Sequence, residues 1–202
     1  MKAPRFLLLV LLVSLSIVAF AQTHAEKAVD KPASSEAQKA FSVLKSLAGT
    51  WQAKVTTPDQ PQTPREEGNG ATTQVTLRVT SRGNAIVHEV HDPSVPDDPA
   101  RYDHPLTMLY LDGERLTLTH YCDSGNRPRM VARTSPDGKT VEFDFVDVVG
   151  PLTYGHMHHA VFTTIDANHH TEDWTWMFPG DKLVKFHFDL MRKNDTASAP
   201  GQ

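Results

Sequence analysis

Residues 116–130, LTLTHYCDSGNRPRM, decide how this sequence is interpreted. The segment begins as a β-strand, ends as a polar turn and holds the only cysteine of the chain. Side chains in a strand point alternately to the two faces of a sheet. Leu116 and Leu118 therefore share a face with His120 and Cys122. Because the two leucines favour a buried face, we expect the imidazole and the thiol to point into the interior of the protein.

The same alternation recurs along most of the chain after residue 48. Apolar segments of period two are separated by turns rich in Gly, Pro, Asn and Asp, which are typical of β-hairpins. We predict ten strands, near residues 49–57, 72–81, 85–90, 106–111, 115–122, 129–134, 140–147, 156–165, 171–178 and 182–192. Short hairpin turns join antiparallel neighbours, so the sequence predicts an all-β fold, either a sandwich or a closed up-and-down barrel. The longer connections at 91–105 and 148–155 are expected to lie over an opening.

A short helix is predicted before the first strand. Ser35 and Gln38 have the spacing of a capping box, and Phe41 and Leu44 follow at helical spacing. Gly49 ends this amphipathic segment. We expect its apolar face to pack against the sheet.

The helix followed by Gly49-Thr50-Trp51 resembles the start of the calycin barrels, the lipocalin-like and fatty-acid-binding-protein-like proteins. Residues 111–130, 155–176 and 186–193 are also similar to an uncharacterised bacterial family of exported lipocalin-like proteins. This resemblance implies a closed ten-stranded β-barrel in residues 35–193, with the helix closing one end and the tryptophan plugging it. It implies no particular activity.

The resemblance does not extend to the haem-binding members of these barrels. Nitrobindin-type haem barrels have a Gly-x-Gly-x-Gly run after the tryptophan, whereas Gln52, Ala53 and Lys54 stand here. Haem binding is therefore not supported by the resemblance.

The ends of the chain are expected to lie outside the barrel. Residues 1–21 have a basic start, an apolar run and a small-x-small end, which predicts a signal peptide and export to the periplasm or the medium. Residues 22–34 are predicted to form a flexible leader, and residues 194–202 a disordered tail. No later segment approaches the roughly 20 apolar residues that a membrane-spanning helix needs.

Charge and cysteine content exclude some functions. Cleavage of the signal peptide removes Lys2 and Arg5, so the formal net charge of -4 becomes -6. This acidic balance argues against nucleic acid or an anionic membrane as partner. A single cysteine excludes an internal disulfide, so packing and hydrogen bonds must stabilise the fold. A protein partner and the oligomeric state stay open.

Polar and aromatic side chains on the inward faces are candidates for ligand binding. The candidates are His120, Cys122, Arg129, Glu172, Trp174 and Trp176. In a calycin barrel the aromatic lining is also the ligand pocket. The alternative is that the aromatic residues and the cysteine only fill the core, that Glu172 forms an internal ion pair, and that the arginine is exposed.

His156 and His158 are candidates for a metal site. Two residues apart on a strand, their Cα atoms lie about 6.5 Å from each other, so both imidazoles could bind one zinc or iron ion. Further ligands would have to come from other strands, and His120, Cys122, Glu172 and His187 are candidates. The alternation leaves open whether this pair or Met157 and His159 face inward. The remaining histidines, His24, His91, His104, His169 and His170, are predicted to be solvated.

Three functions are consistent with these features. The first is an exported barrel that binds a small, mainly apolar molecule. The second is a metal-binding protein or an enzyme that uses the His, Glu and Cys residues of the lining for metal or acid-base chemistry. The third is a structural barrel whose own side chains fill its interior. The sequence leaves enzymatic activity undecided.

Overall fold

The computed structural model describes residues 35–58, 73–98 and 100–193, in which one helix is followed by ten strands. The elements are α1 Glu36–Ser46, β1 Gly49–Thr56, β2 Thr73–Thr80, β3 Ala85–His91, β4 Leu106–Asp112, β5 Arg115–Tyr121, β6 Arg127–Thr134, β7 Thr140–Val149, β8 His156–Asp166, β9 His169–Phe178 and β10 Lys182–Arg192. The predicted signal peptide, leader and tail lie outside the described residues.

The strands form a closed antiparallel barrel in chain order. Each strand pairs with the next, and β1 closes the ring because Trp51 lies opposite Val75 of β2 on one side and Arg192 of β10 on the other. Among the described residues, closure gives every strand a neighbour on both sides, which removes the free edge strands of an open sheet. The predicted all-β, ten-stranded up-and-down barrel with a helix near one end is confirmed.

In an up-and-down barrel, successive connections between strands lie alternately at one end and at the other. The turns at 81–84, 113–114, 135–139 and 167–168 lie at the end where β1 begins, which we call the closed end because α1 leads into it. The connections at 92–105, 122–126, 150–155 and 179–181 lie at the other end, the open end. Both long connections predicted to cover an opening therefore lie at the same end.

The helix α1 begins at the predicted capping box. The backbone N–H of Gln38 donates to Ser35 Oγ at 3.2 Å, and the backbone N–H of Ser35 donates to Gln38 Oε1 at 2.9 Å. Both bonds satisfy N–H groups that a helix start leaves without partners. Ala40, Phe41 and Leu44 form the buried face of the helix and join the barrel core.

Trp51 and Arg192 plug the closed end. The indole of Trp51 is fully buried and its Nε1–H donates to the carbonyl of Leu47 at 2.8 Å. The guanidinium of Arg192 lies 4.1 Å from the centre of the Trp51 ring and donates to the Ala48 carbonyl at 2.8 Å. A Cβ at Gly49 would collide with the Arg192 guanidinium, so glycine leaves the guanidinium free to take this position. The last strand is thereby fixed to the end of the helix.

A bulge in β8 changes which side chains face inward. Ala160 and Phe162 are buried in the core, as their position on one face requires. The register with β9 shifts between Met157 and His159, so one extra residue is accommodated there. The sequence left open whether His156 and His158 or Met157 and His159 face inward. Neither alternation continues along the whole strand, because the bulge interrupts it.

Candidate functional site

A cavity of about 270 Å³ occupies the open half of the barrel. Its apolar lining comes from Val90, Pro105, Met157, Trp174, Trp176, Phe186 and Phe188. Its polar lining comes from His88, Asp103, His120, Cys122 and Asp123. The predicted inward face of β5 is therefore observed: Leu116 and Leu118 are buried in the core, and the imidazole that follows them reaches the cavity.

His120 presents a neutral imidazole to this cavity. The side chain is 4% exposed, and its Nδ1 is 2.8 Å from Thr107 Oγ1 on the neighbouring strand β4. Burial, with a further contribution from the charge of His88, lowers the pKa of His120 from 6.5 to about 3. The hydroxyl can donate to or accept from Nδ1, so Nε2 is left as either an acceptor or a donor. Among the described residues no hydrogen bond to Nε2 is present, and a ligand can therefore use this atom.

Glu172 is a fully buried carboxylate with three N–H donors. Its Oε2 accepts from Trp174 Nε1 and lies 2.9 Å from His88 Nε2, and its Oε1 lies 3.1 Å from His170 Nε2. Burial alone would raise the pKa of Glu172, but the charge of His88 and the hydrogen bonds from His170 and His88 outweigh it and hold the pKa well below its ordinary value. We call these four residues the Glu172 network.

The Glu172 network connects the closed-end plug to the cavity wall. The ring of His170 packs edge-on against Trp51 with 4.2 Å between ring centres. On the other side, His88 and Trp174 both line the cavity, and their ring centres are 5.5 Å apart. A hydrogen-bonded layer therefore separates the plug from the cavity and holds two of the cavity's side chains in place.

The structure places the predicted ligand-binding residues at different depths. His120, Cys122, Trp174 and Trp176 line the cavity. Glu172 does not line it but bonds to two residues that do, as described above.

Arg129 is outside the cavity lining. It is 42% exposed, and its guanidinium forms an ion pair with Asp147 on the neighbouring strand β7, 2.5 Å from Nη2 to Oδ2. The strand pairing that brings this acid beside the arginine therefore directs the side chain to solvent. A ligand contact by Arg129 has no support in this geometry.

Two residues of the Glu172 network were not among the predicted site residues. The prediction that His170 is solvated is wrong, since its side chain is fully buried. The residue lies within β9 and continues the face of Glu172 and Trp174, so the alternation could have identified it. His88 was likewise detectable, because it shares a face of β3 with Ile86 and Val90.

Cys122 is a half-buried thiol of the cavity lining. Burial raises the pKa of this thiol, and hydrogen bonds from Ser124 only partly offset the effect. A protonated thiol is a weak nucleophile. The surroundings of Cys122 therefore do not activate it for covalent catalysis.

His156 and His158 lie together, outside the cavity lining. Their Nε2 and Nδ1 atoms are 3.3 Å apart, and the ring of Phe145 packs against both imidazoles. Burial lowers the pKa of each, and the charge of a neighbouring histidine lowers it further. Within the described part of the chain, no third His, Cys, Asp or Glu side chain completes a group of metal ligands with them.

The described residues do contain one group of three possible metal ligands, Glu142, Asp144 and His159. Arg133 already forms ion pairs with both acids of this group. Its charge replaces the one that a cation would supply, so the group is a surface ion-pair network.

A ten-stranded antiparallel barrel with a plugged end and a cavity at the other has a lipocalin-like fold. The crystal structure of Rv2717c from M. tuberculosis is similar to it, with a TM-score of 0.53 and 14% sequence identity over 77% of this chain and 98% of that chain. A protein of unknown function from the DUF3598 family of Nostoc punctiforme matches with a TM-score of 0.46 and 9% identity over 74% of this chain and 48% of that one. At such identities the likeness concerns the fold alone.

No protein-family model and no curated protein matches the sequence. In the described part of the chain, no helix has the length and apolar content to span a bilayer.

Proposed function

We propose that this barrel binds a small, mainly apolar molecule in the cavity at its open end. The observation that carries the proposal is the cavity itself, about 270 Å³ of space with aromatic and aliphatic walls. Ligand sites in proteins have this character, with apolar walls and a few polar groups that orient the ligand. Self-filling of the barrel, the structural alternative, is opposed by this space.

The size of the cavity limits the size of the ligand. A cavity of roughly 150 Å³ binds benzene in a protein core. The cavity described here is nearly twice as large, about 270 Å³. It therefore suits a molecule with one or two rings, or an alkyl chain of comparable volume.

His120 supplies the main directional contact in this proposal. Its ring is held by Thr107 and is neutral near pH 7, so Nε2 can bond to one hydroxyl, carbonyl or amine of the ligand without a change of charge. The aromatic side chains Trp174 and Trp176 supply contact area for the apolar part.

We place the protein in the calycin superfamily, and among exported proteins, as parts of the same proposal.

Replacing Val90 by tryptophan tests the cavity as the binding site. Val90 lines the cavity and packs against the core, so an indole at this position would occupy space that the ligand needs. We expect Val90→Trp to weaken binding of the neutral two-ring probe 1-aminonaphthalene by at least about tenfold, measured by fluorescence titration.

The matched control is Val146→Trp, the same substitution at a position that is 45% exposed. This variant should bind the probe like the unmodified chain. Equal loss in both variants, or no loss in either, would show that the probe binds elsewhere.

We propose metal binding by His156 and His158 as a second candidate function. Their nitrogen atoms are 3.3 Å apart. Two imidazole nitrogens bound at about 2.0–2.1 Å to one tetrahedral ion are separated by roughly the same distance. Small movements of the two imidazole rings would therefore let both bind one zinc or iron ion. The remaining ligands of the ion would have to come from groups other than these two histidines.

Metal analysis of protein purified without an affinity tag tests this second candidate. One equivalent of zinc or iron, lost in the His156→Ala and His158→Ala variants, is the expected result. Metal that remains bound in both variants, or protein that is free of metal after growth with added zinc and iron, would refute it.

A further inference from the structure

Two carboxylates lie at the mouth of the cavity. Asp103 belongs to the connection between β3 and β4, and Asp123 to the connection between β5 and β6. The backbone N–H of Asp123 donates to Asp103 Oδ1 at 3.1 Å, which holds the two loops together. Partial burial and the charge of Asp123 raise the pKa of Asp103, as expected for acids placed side by side. Two negative charges therefore meet where a ligand enters.

The walls below this mouth are aromatic. Trp174, Trp176, Phe186 and Phe188 all contribute to the lining. The face of an aromatic ring carries partial negative charge and attracts cations within about 6 Å, with Trp the most effective. Trp176 is held in place by a hydrogen bond from its Nε1–H to the Tyr154 carbonyl.

No unpaired positive charge is found among the described residues that line the cavity. The imidazole of His88 lies 2.9 Å from the buried carboxylate of Glu172, which pairs with it. None of the described residues around the cavity is Lys or Arg, and the buried imidazole of His120 is neutral near pH 7. Arg101 and His104 lie in a separate groove outside the mouth, which shares Asp103 and Asp123 with the cavity. A fatty acid or another apolar anion would therefore meet like charges on entry, and no Lys or Arg of the described lining could pair with it.

We propose that the cavity selects an apolar molecule that carries an amine or a quaternary ammonium group. The apolar part packs against Trp174 and Phe186, and the positive group lies at the mouth beside Asp103 and Asp123. This inference rests on the proposed function, since it assigns a chemical class to the ligand of the same cavity. Carboxylates and aromatic faces together stabilise a cation and repel an anion.

Three probes with eight-carbon chains test the charge preference. Octyltrimethylammonium, 1-octanol and octanoate are titrated into the full chain by calorimetry at pH 7.5 and low salt, with the two ions below their micelle concentrations and octanol below its solubility limit. We expect the cation to bind about tenfold or more tightly than octanoate, with octanol between them. Raising the salt concentration should reduce this ratio, because salt screens the exposed carboxylates.

Removing both mouth carboxylates should remove the preference. The Asp103→Asn and Asp123→Asn double variant keeps the shape of the mouth, and we expect its ratio of cation to anion affinity to fall about tenfold. Asp112→Asn is the matched control, because this exposed acid lies in the β4–β5 hairpin at the closed end. It should leave the ratio unchanged.

The outcomes separate this inference from the proposed function. Equal binding of all three probes, or a preference that neither salt nor the double variant changes, would overturn the charge preference and leave ligand binding standing. Failure of all three probes to bind would overturn both. The salt dependence is measured on the unmodified chain, so it decides the question even where the double variant does not fold.

Discussion

Replacing Glu172 by glutamine is expected to lower the free energy of unfolding by about 3–5 kcal/mol, the loss typical of a broken buried charge pair. In the native chain one carboxylate faces the N–H groups of His88, His170 and Trp174. Glutamine has nearly the same shape, but its amide N–H₂ would point at donors and leave at least one of them unpaired. An unpaired buried donor carries its full desolvation cost. Urea unfolding at pH 7.5 measures the difference.

Glu142→Gln provides the control for the same change of chemistry. Glu142 lies on β7 with its side chain 38% exposed, close to Arg133. Exposed ion pairs contribute little, so we expect this variant to lose less than about 1 kcal/mol. If Glu172→Gln lost no more than Glu142→Gln, the three N–H groups would not be organised around a charge, and the Glu172 network would not stabilise the barrel.

Acid is expected to destabilise the barrel in two steps, and His120 dominates the first. The pKa of this imidazole is about 3 in the folded chain and 6.5 ordinarily. Between these pH values the unfolded chain binds a proton that the folded chain does not. The contribution of His120 is therefore complete above pH 6.5 and is lost as the pH falls towards 3, at about 1.4 kcal/mol per pH unit.

Glu172 adds the second step at lower pH. Its pKa is held below the ordinary value of 4.5, so its contribution is complete above pH 4.5 and is lost as the pH falls further. The sign is the same as for His120, because in both windows the unfolded chain binds more protons than the folded chain. Stability should therefore decline from pH 6.5 and decline more steeply below 4.5.

His120→Gln isolates the first step. A glutamine amide can bond to Thr107 but does not titrate, so the variant should show a slope between pH 6.5 and 4.5 that is smaller by about 1.4 kcal/mol per pH unit. The histidines His156 and His158, whose pKa values are also lowered, remain in both proteins and cancel in the comparison. Parallel curves for the variant and the unmodified chain would show that His120 is not a buried neutral group.

The parts of the fold that were predictable from the sequence depend on local periodicity. Two-residue alternation placed Leu118 and His120 on an inward face, and it did the same for Trp174, because a strand's side-chain period does not depend on its partners. The capping box at Ser35 and Gln38 was likewise a local signal. These features required no knowledge of which strands pair.

The parts that were not predictable depend on pairing between distant strands. His88 and Glu172 are separated by 84 positions in the chain, and only closure of the barrel brings them to 2.9 Å. Arg129 forms its ion pair with Asp147 across strands β6 and β7, whose register shifts next to Arg129. A bulge adds one residue without any fixed sequence signal, so the inward side of β8 near Met157 could not be fixed from alternation.

His170 is a different case, because the signal was present in the sequence. The predicted strand began at Thr171, and the histidine was assigned to the preceding turn. In the structure β9 begins at His169, so the inward face extends by one more residue. Strand ends are less clearly marked than strand centres, and this small difference in length removed a member of the Glu172 network from the predicted site.

A crystal structure of the full chain soaked with 1-octanol would show whether the cavity holds an apolar ligand. Octanol is uncharged, so its binding depends on the cavity and not on the charge preference proposed above. We predict the alcohol in the cavity, with its chain against Trp174 and Phe188 and its hydroxyl within hydrogen-bond distance of His120 Nε2. Octanol found only on the outer surface, with the cavity closed by the protein's own side chains, would show that the barrel has no internal ligand site.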